Sequence, residues 1–175
     1  MEKLKLIAIS AVSVDGVIGI DNNIPWYIPE DFIHFRNITI NNVVIVGYNT
    51  YLTLPPKALD VRKYLVLNGG NHFENKNHNI AQFSNFDTLK SFIEYHQDEL
   101  FLNKKFFVAG GAMVYDSLID FCDEAIITWV NKYIPNGNKR FPIDKLFANF
   151  EACDEQDWQF SKSGEQYKIT RYVKL

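Results

Sequence analysis

A carboxylate set among aromatic rings is the first feature of this chain that can do chemistry. Asp31 follows Pro29 and Glu30, with Phe32 beside it, Phe35 one turn on, and Asn22-Asn23-Ile24-Pro25-Trp26 ahead of it. On a helix, positions 31, 32 and 35 lie on adjoining parts of one face. Rings there would take the faces of a flat heterocycle, and the carboxylate would take two N–H donors in a bidentate bond. Apolar surroundings would raise the acid's pKa, because burial disfavours the charged form. In a helix taken alone, a solvated first-turn carboxylate favoured by the dipole is the commoner reading.

Three further segments can contribute. Phe107-Val108-Ala109-Gly110-Gly111-Ala112-Met113-Val114-Tyr115 reads as a buried strand running through paired glycines into a helix. Such a turn lets backbone amides approach a pyrophosphate, although the third glycine of the dinucleotide fingerprint is missing. Gly47-Tyr48-Asn49-Thr50 repeats the strand-to-helix setting, either as a second face for the same phosphates or as a simple helix cap. Thr128, inside the apolar strand 126–130, can satisfy a backbone carbonyl or a buried carboxylate. The four His have no metal-ligand spacing, so no metal site is expected, and no serine elbow or lysine-type phosphate loop is present.

The elements that must position these groups follow from the pattern. Near-continuous apolar residues over 4–12 predict a strand covered on both faces, followed by an Asp15-Gly16 turn. Pro29 reads as the first position of a helix carrying Phe32, Phe35 and Ile38 inward. Further strands are expected at 43–46, 64–67, 106–109 and 125–130. A short helix is expected over 49–54, stopped by Pro55-Pro56. Residues 68–79 read as a polar, mobile surface loop, Asn85 as a helix cap, 112–121 as a helix and 144–147 as a short one. Residues 158–161 and 167–173 read as a closing hairpin around Ser163-Gly164. The expectation is one α/β domain spanning 1–175: a mostly parallel sheet with an antiparallel C-terminal edge and helices on both faces. Ligands of such sheets bind at the carboxyl ends of the strands.

Bulk properties narrow the function. At 175 residues the chain suits one domain, and 15% aromatics supply stacking surface for a flat ligand. A net charge of −3 offers no basic field for nucleic acid and no polybasic membrane patch. Lys3 and Lys5 before an apolar run have the look of a signal peptide, but Asp15 interrupts the run and no cleavage site follows. Cys122 and Cys153 lack redox or metal spacing; a disulfide between them stays open on sequence alone, and two free, buried thiols in a reducing compartment are the plainer reading. A cytoplasmic protein is therefore expected.

Taken together and in this order, the segments resemble dihydrofolate reductase over nearly the whole chain. The resemblance is carried by Val17-Ile18-Gly19, Asn22 to Trp26, Pro29, Asp31, Phe35, Gly47 to Thr50, Arg62, Gly110-Gly111 with Tyr115, Thr128 and Phe141-Pro142. It implies reduction of 7,8-dihydrofolate to tetrahydrofolate, with hydride passing from NADPH to C6 and a solvent proton to N5. That reaction would serve one-carbon metabolism and thymidylate synthesis. It also implies dihydrofolate and antifolates as small-molecule ligands, and a monomer. Asp31 would hold the pterin N3 and 2-amino group, Thr128 would bond both, and Trp26 would fix a water. Ile9, Ser10, Ala11, Phe32, Phe35, Leu54, Leu59 and Ala109 would line the substrate site, and Arg62 would pair with the substrate's α-carboxylate. Ser10, Ala11, Ile18 and Tyr115 would border the nicotinamide, with Tyr115 also facing the substrate, and Asn22 to Ile24 would belong to a flexible loop that closes over it. The rest of the cofactor would meet Gly47, Tyr48, Asn49, Thr50, Leu67, Asn68, Gly110, Gly111, Ala112, Met113 and Val114.

The chain departs from the family where the cofactor's phosphates are held. Tyr48 and Met113 stand where basic residues are common, and Asn68-Gly69 replaces small hydroxyl residues. Fewer charge-assisted bonds imply weaker discrimination, so NADH becomes an alternative to NADPH. Two rivals remain. A pyrimidine reductase of riboflavin synthesis would not be expected to keep Trp26, Asp31 and Thr128, and a folate-binding protein would keep the pocket without turnover.

Overall fold

The computed structural model describes residues 4–175, so Lys3 lies outside the described residues. The backbone first forms β1 (Leu6–Ser13), β2 (Val17–Gly19), α1 (Pro29–Thr39), β3 (Val43–Gly47), α2 (Tyr48–Tyr51), α3 (Pro56–Leu59), β4 (Lys63–Leu67) and β5 (Ile80–Phe83). It continues through α4 (Phe86–His96), β6 (Phe106–Val108), α5 (Ala112–Leu118), a 3-10 turn (Ile119–Phe121), β7 (Glu124–Val130), β8 (Lys139–Arg140), α6 (Ile143–Asn149), β9 (Phe150–Glu155), β10 (Gln159–Phe160) and β11 (Gln166–Lys174).

Nine strands make one sheet in the order β10-β11-β7-β1-β6-β3-β4-β5, with β9 also on β11. From β7 to β5 every neighbour is parallel, and within this sheet the antiparallel pairs all involve β11, while β2 and β8 form a separate antiparallel pair. The expected sheet type is therefore the one observed. Apolar runs on both faces of β1 explain its central place: Leu6, Ala8 and Val12 enter the large core beneath α4 and α5, while Ile7 and Ile9 join Phe107 beneath α1. Helices thus cover both faces.

Several boundaries differ from the sequence pattern. The first strand runs 6–13 rather than 4–12, and the helix expected to 121 ends at Leu118 and tightens into the 3-10 turn. Pro55-Pro56 does not simply stop a helix. The α2 helix ends at Tyr51, and Pro56 then opens α3 at a first-turn position that needs no amide hydrogen. The sequence pattern gave no expectation of β2, β5, β8 or β9. The polar loop before β5 is tied to itself: the Gln82 amide bonds Asn68 and both the N–H and carbonyl of Phe73, while Asn75 bonds the carbonyls of Asn77 and Ile80. Asn85 caps α4 as expected, accepting from the Thr88 N–H at 3.0 Å.

Candidate active site

Parallel strands bring their carboxyl ends to one edge of the sheet, and the chain reverses direction across β1, between β6 and β7. The α1 helix lies over this edge. Pro29 supplies its fixed φ at the start, Glu30 and Asp31 face the positive end, and Arg36 sits in the last turn. Glu30 is pinned from the C-terminal hairpin by the Ser161 hydroxyl (2.6 Å) and the Lys162 N–H (2.9 Å), and the Ser163 hydroxyl donates to the Tyr27 carbonyl. The entry angle of α1 is thereby set from β10 and β11.

That anchoring aims Asp31 at β7, where Thr128 Oγ1 donates to Asp31 Oδ1 at 2.6 Å. Thr128 is buried and sits opposite Ala11 of β1. Burial raises Asp31's pKa above its usual 3.8, and the Thr128 bond and the charge of His34 hold part of that rise back. Trp26 packs with Ile28, Val130 and Tyr167, and Tyr167 feels the charges of Glu30 and Asp31. His34 and Tyr167 carried no expectation from sequence. Their sequence signal is faint, because each depends on which face of α1 and β11 looks inward.

Positions 31, 35 and 38 share one face of α1, and Phe35 and Ile38 pack on Ile7, Ile9 and Phe107 with Ala109. Phe32 does not share their burial. It is 56% exposed and leans on Tyr27 at 6.3 Å, because one residue's step along a helix turns it about 100° from Asp31. Arg62, expected near a substrate carboxylate, is 6% exposed. Its Nε donates to Thr39 Oγ1 at 2.7 Å, one NH donates to the Ala58 carbonyl, and the guanidinium lies 5.7 Å from the Phe35 ring. No carboxylate among the described residues pairs with it. Asp31 and Thr39 stand two turns apart on α1, about 12 Å at a rise of about 1.5 Å per residue. Leu54, Leu59 and Ala109 pack around Val44, Val46 and Tyr64 on the Arg62 side.

The two glycine turns meet each other. Gly47 N donates to the Gly110 carbonyl at 2.8 Å. A Cβ on Gly47 would lie 3.1 Å from Val114, and one on Gly111 would lie 3.1 Å from Thr50 Oγ1. Gly110 has φ +105, and a Cβ there would meet the Tyr115 ring at 3.0 Å. The Gly110–Gly111 peptide is cis. The glycines therefore keep a narrow backbone cradle open, with Thr50 at its wall. The Tyr115 hydroxyl donates to the Ile9 carbonyl at 2.6 Å and lies beside Ser10, joining the cradle to the end of β1 where Ala11 sits. The helices behind these turns are short, so amides and the Thr50 hydroxyl, rather than a long helix dipole, are what the cradle offers an anion.

At the cradle's outer rim Tyr48 packs tilted against Phe73 (centroids 4.9 Å), and Asn49 is exposed. Asn68 is turned inward, donating to Gln82 and accepting from the Gly70 N–H, next to Leu67 at the end of β4. Ala112 opens α5 half-buried, Met113 is 84% exposed and Val114 is buried. Asn22 and Ile24 lie in the loop after β2, whose Ile18 packs on the main core. Asp21 and Asn138 fasten that loop with two reciprocal bonds of 2.7 Å. Among the described residues no cluster of metal-ligating side chains occurs, and no helix is long and apolar enough to cross a membrane.

Comparison with known proteins agrees with this geometry. The profile of the family described as dihydrofolate reductase matches residues 5–174. The chain is 32% identical over 170 residues to the dihydrofolate reductase of Mycoplasma pneumoniae, covering 94% of this chain and 98% of that one. It is 29% identical over 164 residues to that of Buchnera aphidicola (94% and 91%), and 28% identical over 167 residues to that of Mycobacterium tuberculosis (93% and 93%). A match of that extent, on a sheet that brings Asp31 against Thr128, makes this chain a member of the dihydrofolate reductase family.

Proposed function

We propose that this protein reduces 7,8-dihydrofolate to tetrahydrofolate, with Asp31 holding the pterin ring and a nicotinamide dinucleotide in the glycine cradle. The observation that carries the reading is the pairing of ends along α1: a desolvated carboxylate at its first turn and a buried, carboxylate-free arginine at its last. Such a site fits a ligand with N–H donors at one end and an anion at the other, about 12 Å away.

Each residue then has a defined task. The Thr128 bond occupies part of one Asp31 oxygen and fixes the carboxylate plane. The remaining acceptor positions take the ring N3–H and 2-amino group as a bidentate pair. The Asp31 anion favours the protonated pterin without touching N5, so the proton reaches N5 from solvent while hydride adds to C6. Phe35, Ile9 and Ala109 give the ring an apolar bed, and Phe32 closes it from the mouth. Trp26 walls the carboxylate and orders a water beside it. Leu54 and Leu59 flank the tail, and the free guanidinium edge of Arg62 receives its carboxylate. A reduced nicotinamide, when bound, supplies the hydride. Gly110, Gly111 and Thr50 would hold its phosphates, and Ser10, Ala11, Ile18 and Tyr115 would border its ring. The protein's contribution is orientation and electrostatics.

Cofactor choice falls on the rim. Tyr48 is engaged with Phe73, Asn68 with Gln82, and Met113 faces solvent, so none of the three offers a cation to a 2′-phosphate. We therefore assign weak discrimination between NADPH and NADH. The reading extends to a cytoplasmic monomer feeding one-carbon metabolism and thymidylate synthesis. The test is absorbance loss of each reduced cofactor with dihydrofolate present. Turnover with both, at kcat/KM values within about tenfold, about 1.4 kcal/mol, supports the assignment. An ordinary strong NADPH preference removes the cofactor part. Tight dihydrofolate binding without turnover removes the enzyme and leaves a binding protein.

A further inference from the structure

We propose that His34 is a positioning residue acting through Asp31: its imidazole, one helical turn along α1, adds to burial and the Thr128 bond in setting how much of the Asp31 carboxylate is ionised when the heterocycle binds. The inference rests on the reading of Asp31 as the pterin-holding group, and it concerns a residue that reading leaves without a task.

Three observations carry it. His34 stands three residues after Asp31 on the same helix, a spacing that makes side chains neighbours. Its Nε2 is buried and has no hydrogen-bond partner among the described residues. Buried ring nitrogens without a partner are uncommon, so this one calls for a role beyond filling space. Third, the surroundings leave the two groups to each other. Glu30 is committed to Ser161 and Lys162. Arg36 is exposed in the last turn of α1. From β7 the facing group is the uncharged Thr128 hydroxyl. From β11 and α5 they are Tyr167 and Tyr115, phenols whose burial and acidic neighbours keep them neutral. The charge acting on Asp31 is that of His34, and the charge acting on His34 is that of Asp31.

Burial moves the two titrations toward each other. It raises Asp31 from 3.8 and lowers His34 from 6.5, and each group's charge offsets part of the other's shift. Each group's titration therefore carries the other's charge, so a change at one should appear at the other. On the acidic side, imidazolium keeps Asp31 ionised to a lower pH than burial alone would allow, which extends the range in which the bidentate bond to the ring is available. Above both transitions His34 is neutral and its influence fades.

Nuclear magnetic resonance on the intact protein tests this, with the Asp31 carboxyl carbon and the His34 ring followed through pH. In His34→Gln and in His34→Phe the Asp31 midpoint is expected to rise. In Asp31→Asn the His34 midpoint is expected to fall by the same interval, because coupling between two sites is reciprocal. A parallel rate profile should show the KM for dihydrofolate beginning its acid rise at higher pH in both His34 variants, with kcat moving less. Superimposable Asp31 curves in folded variants, or a His34 curve indifferent to Asp31→Asn, overturn the proposal. Unequal shifts overturn it as well. The resonance measurements need no turnover, so failure of dihydrofolate reduction would count against the proposed function and leave the coupling separately decided.

Discussion

Thr128 and Asp31 lie 97 positions apart in the chain and share a 2.6 Å hydrogen bond in which the hydroxyl donates to the carboxylate. The bond ties the first turn of α1 to the strand beside β1. On its other side the same turn is held through Glu30 by the β10–β11 hairpin. A helix with only Thr39 fully buried gains its orientation from these polar ties more than from its apolar face.

Asp31→Asn should separate activity from stability. Loss of the anion is expected to lower kcat/KM for dihydrofolate near neutral pH by roughly 10²–10³-fold, the size usual for removing a preorganised charge. Stability should move the other way. Because burial raises Asp31 above 3.8, the folded protein keeps this proton to a higher pH than the unfolded chain. The fold therefore benefits fully below that value and loses the benefit as pH rises through the folded pKa. The Asn variant should melt above the parent near pH 7 and with it near pH 3, as calorimetry at the two pH values can check. A lower Tm at neutral pH would contradict the sign.

Thr128→Val keeps the volume and removes the donor. The Asp31 anion loses the bond that offsets burial, so its pKa should climb further and the acid fall in kcat/KM should begin at higher pH. Leaving a desolvated carboxylate oxygen short of a partner should cost about 1–3 kcal/mol. Denaturant melts and a pH–rate profile on one preparation suffice. An unshifted profile would mean that the hydroxyl serves packing alone.

Arg62 is the matching test at the other end of α1. Arg62→Lys cannot reach Thr39 and the Ala58 carbonyl while also presenting a second edge to a ligand. The KM for dihydrofolate should rise by roughly tenfold or more, in line with losing a charge-assisted pair worth about 1.5–3 kcal/mol. The KM for the nicotinamide cofactor should stay put. A dihydropterin lacking the carboxylate tail should be reduced equally well by both forms. Equal loss on the tailless substrate would show that Arg62 supports the fold instead of the tail.

Much of this site is visible in the sequence because local chemistry and global fold agree there. Pro29, Glu30 and Asp31 announce a helix start, and the glycines of the two turns announce close backbone approach. Thr128 stands out as a hydroxyl in an apolar strand. The missed elements lacked such signals. The β9 strand is exposed over most of its length and reads FEACDE, with no alternation to mark a face, and its pairing with β11 is what makes it a strand. The bridge between β2 and β8 joins three residues to two, too short for any periodicity. Phe32 and His34 needed the rotation of α1, which is fixed by Ser161, Lys162 and Thr128 from distant parts of the chain.

The last prediction concerns the cradle, where Gly111 and Thr50 come together. A Cβ on Gly111 would sit 3.1 Å from Thr50 Oγ1, while the backbone angles of Gly111 itself suit alanine. Gly111→Ala should therefore destabilise through crowding, by about 1–3 kcal/mol, rather than through backbone strain. Thr50→Ala removes the atom that is crowded, so the double variant should recover most of that loss, a coupling that a double-mutant cycle reads directly. Cofactor binding should behave differently. The single Ala and the double variant should both bind the nicotinamide dinucleotide more weakly, since one narrows the cradle and the other also removes its hydroxyl. Stability without rescue in the double variant would place the strain elsewhere in the turn. Rescue of both stability and cofactor affinity would show that Thr50 is only a neighbour of the cradle and not part of its wall.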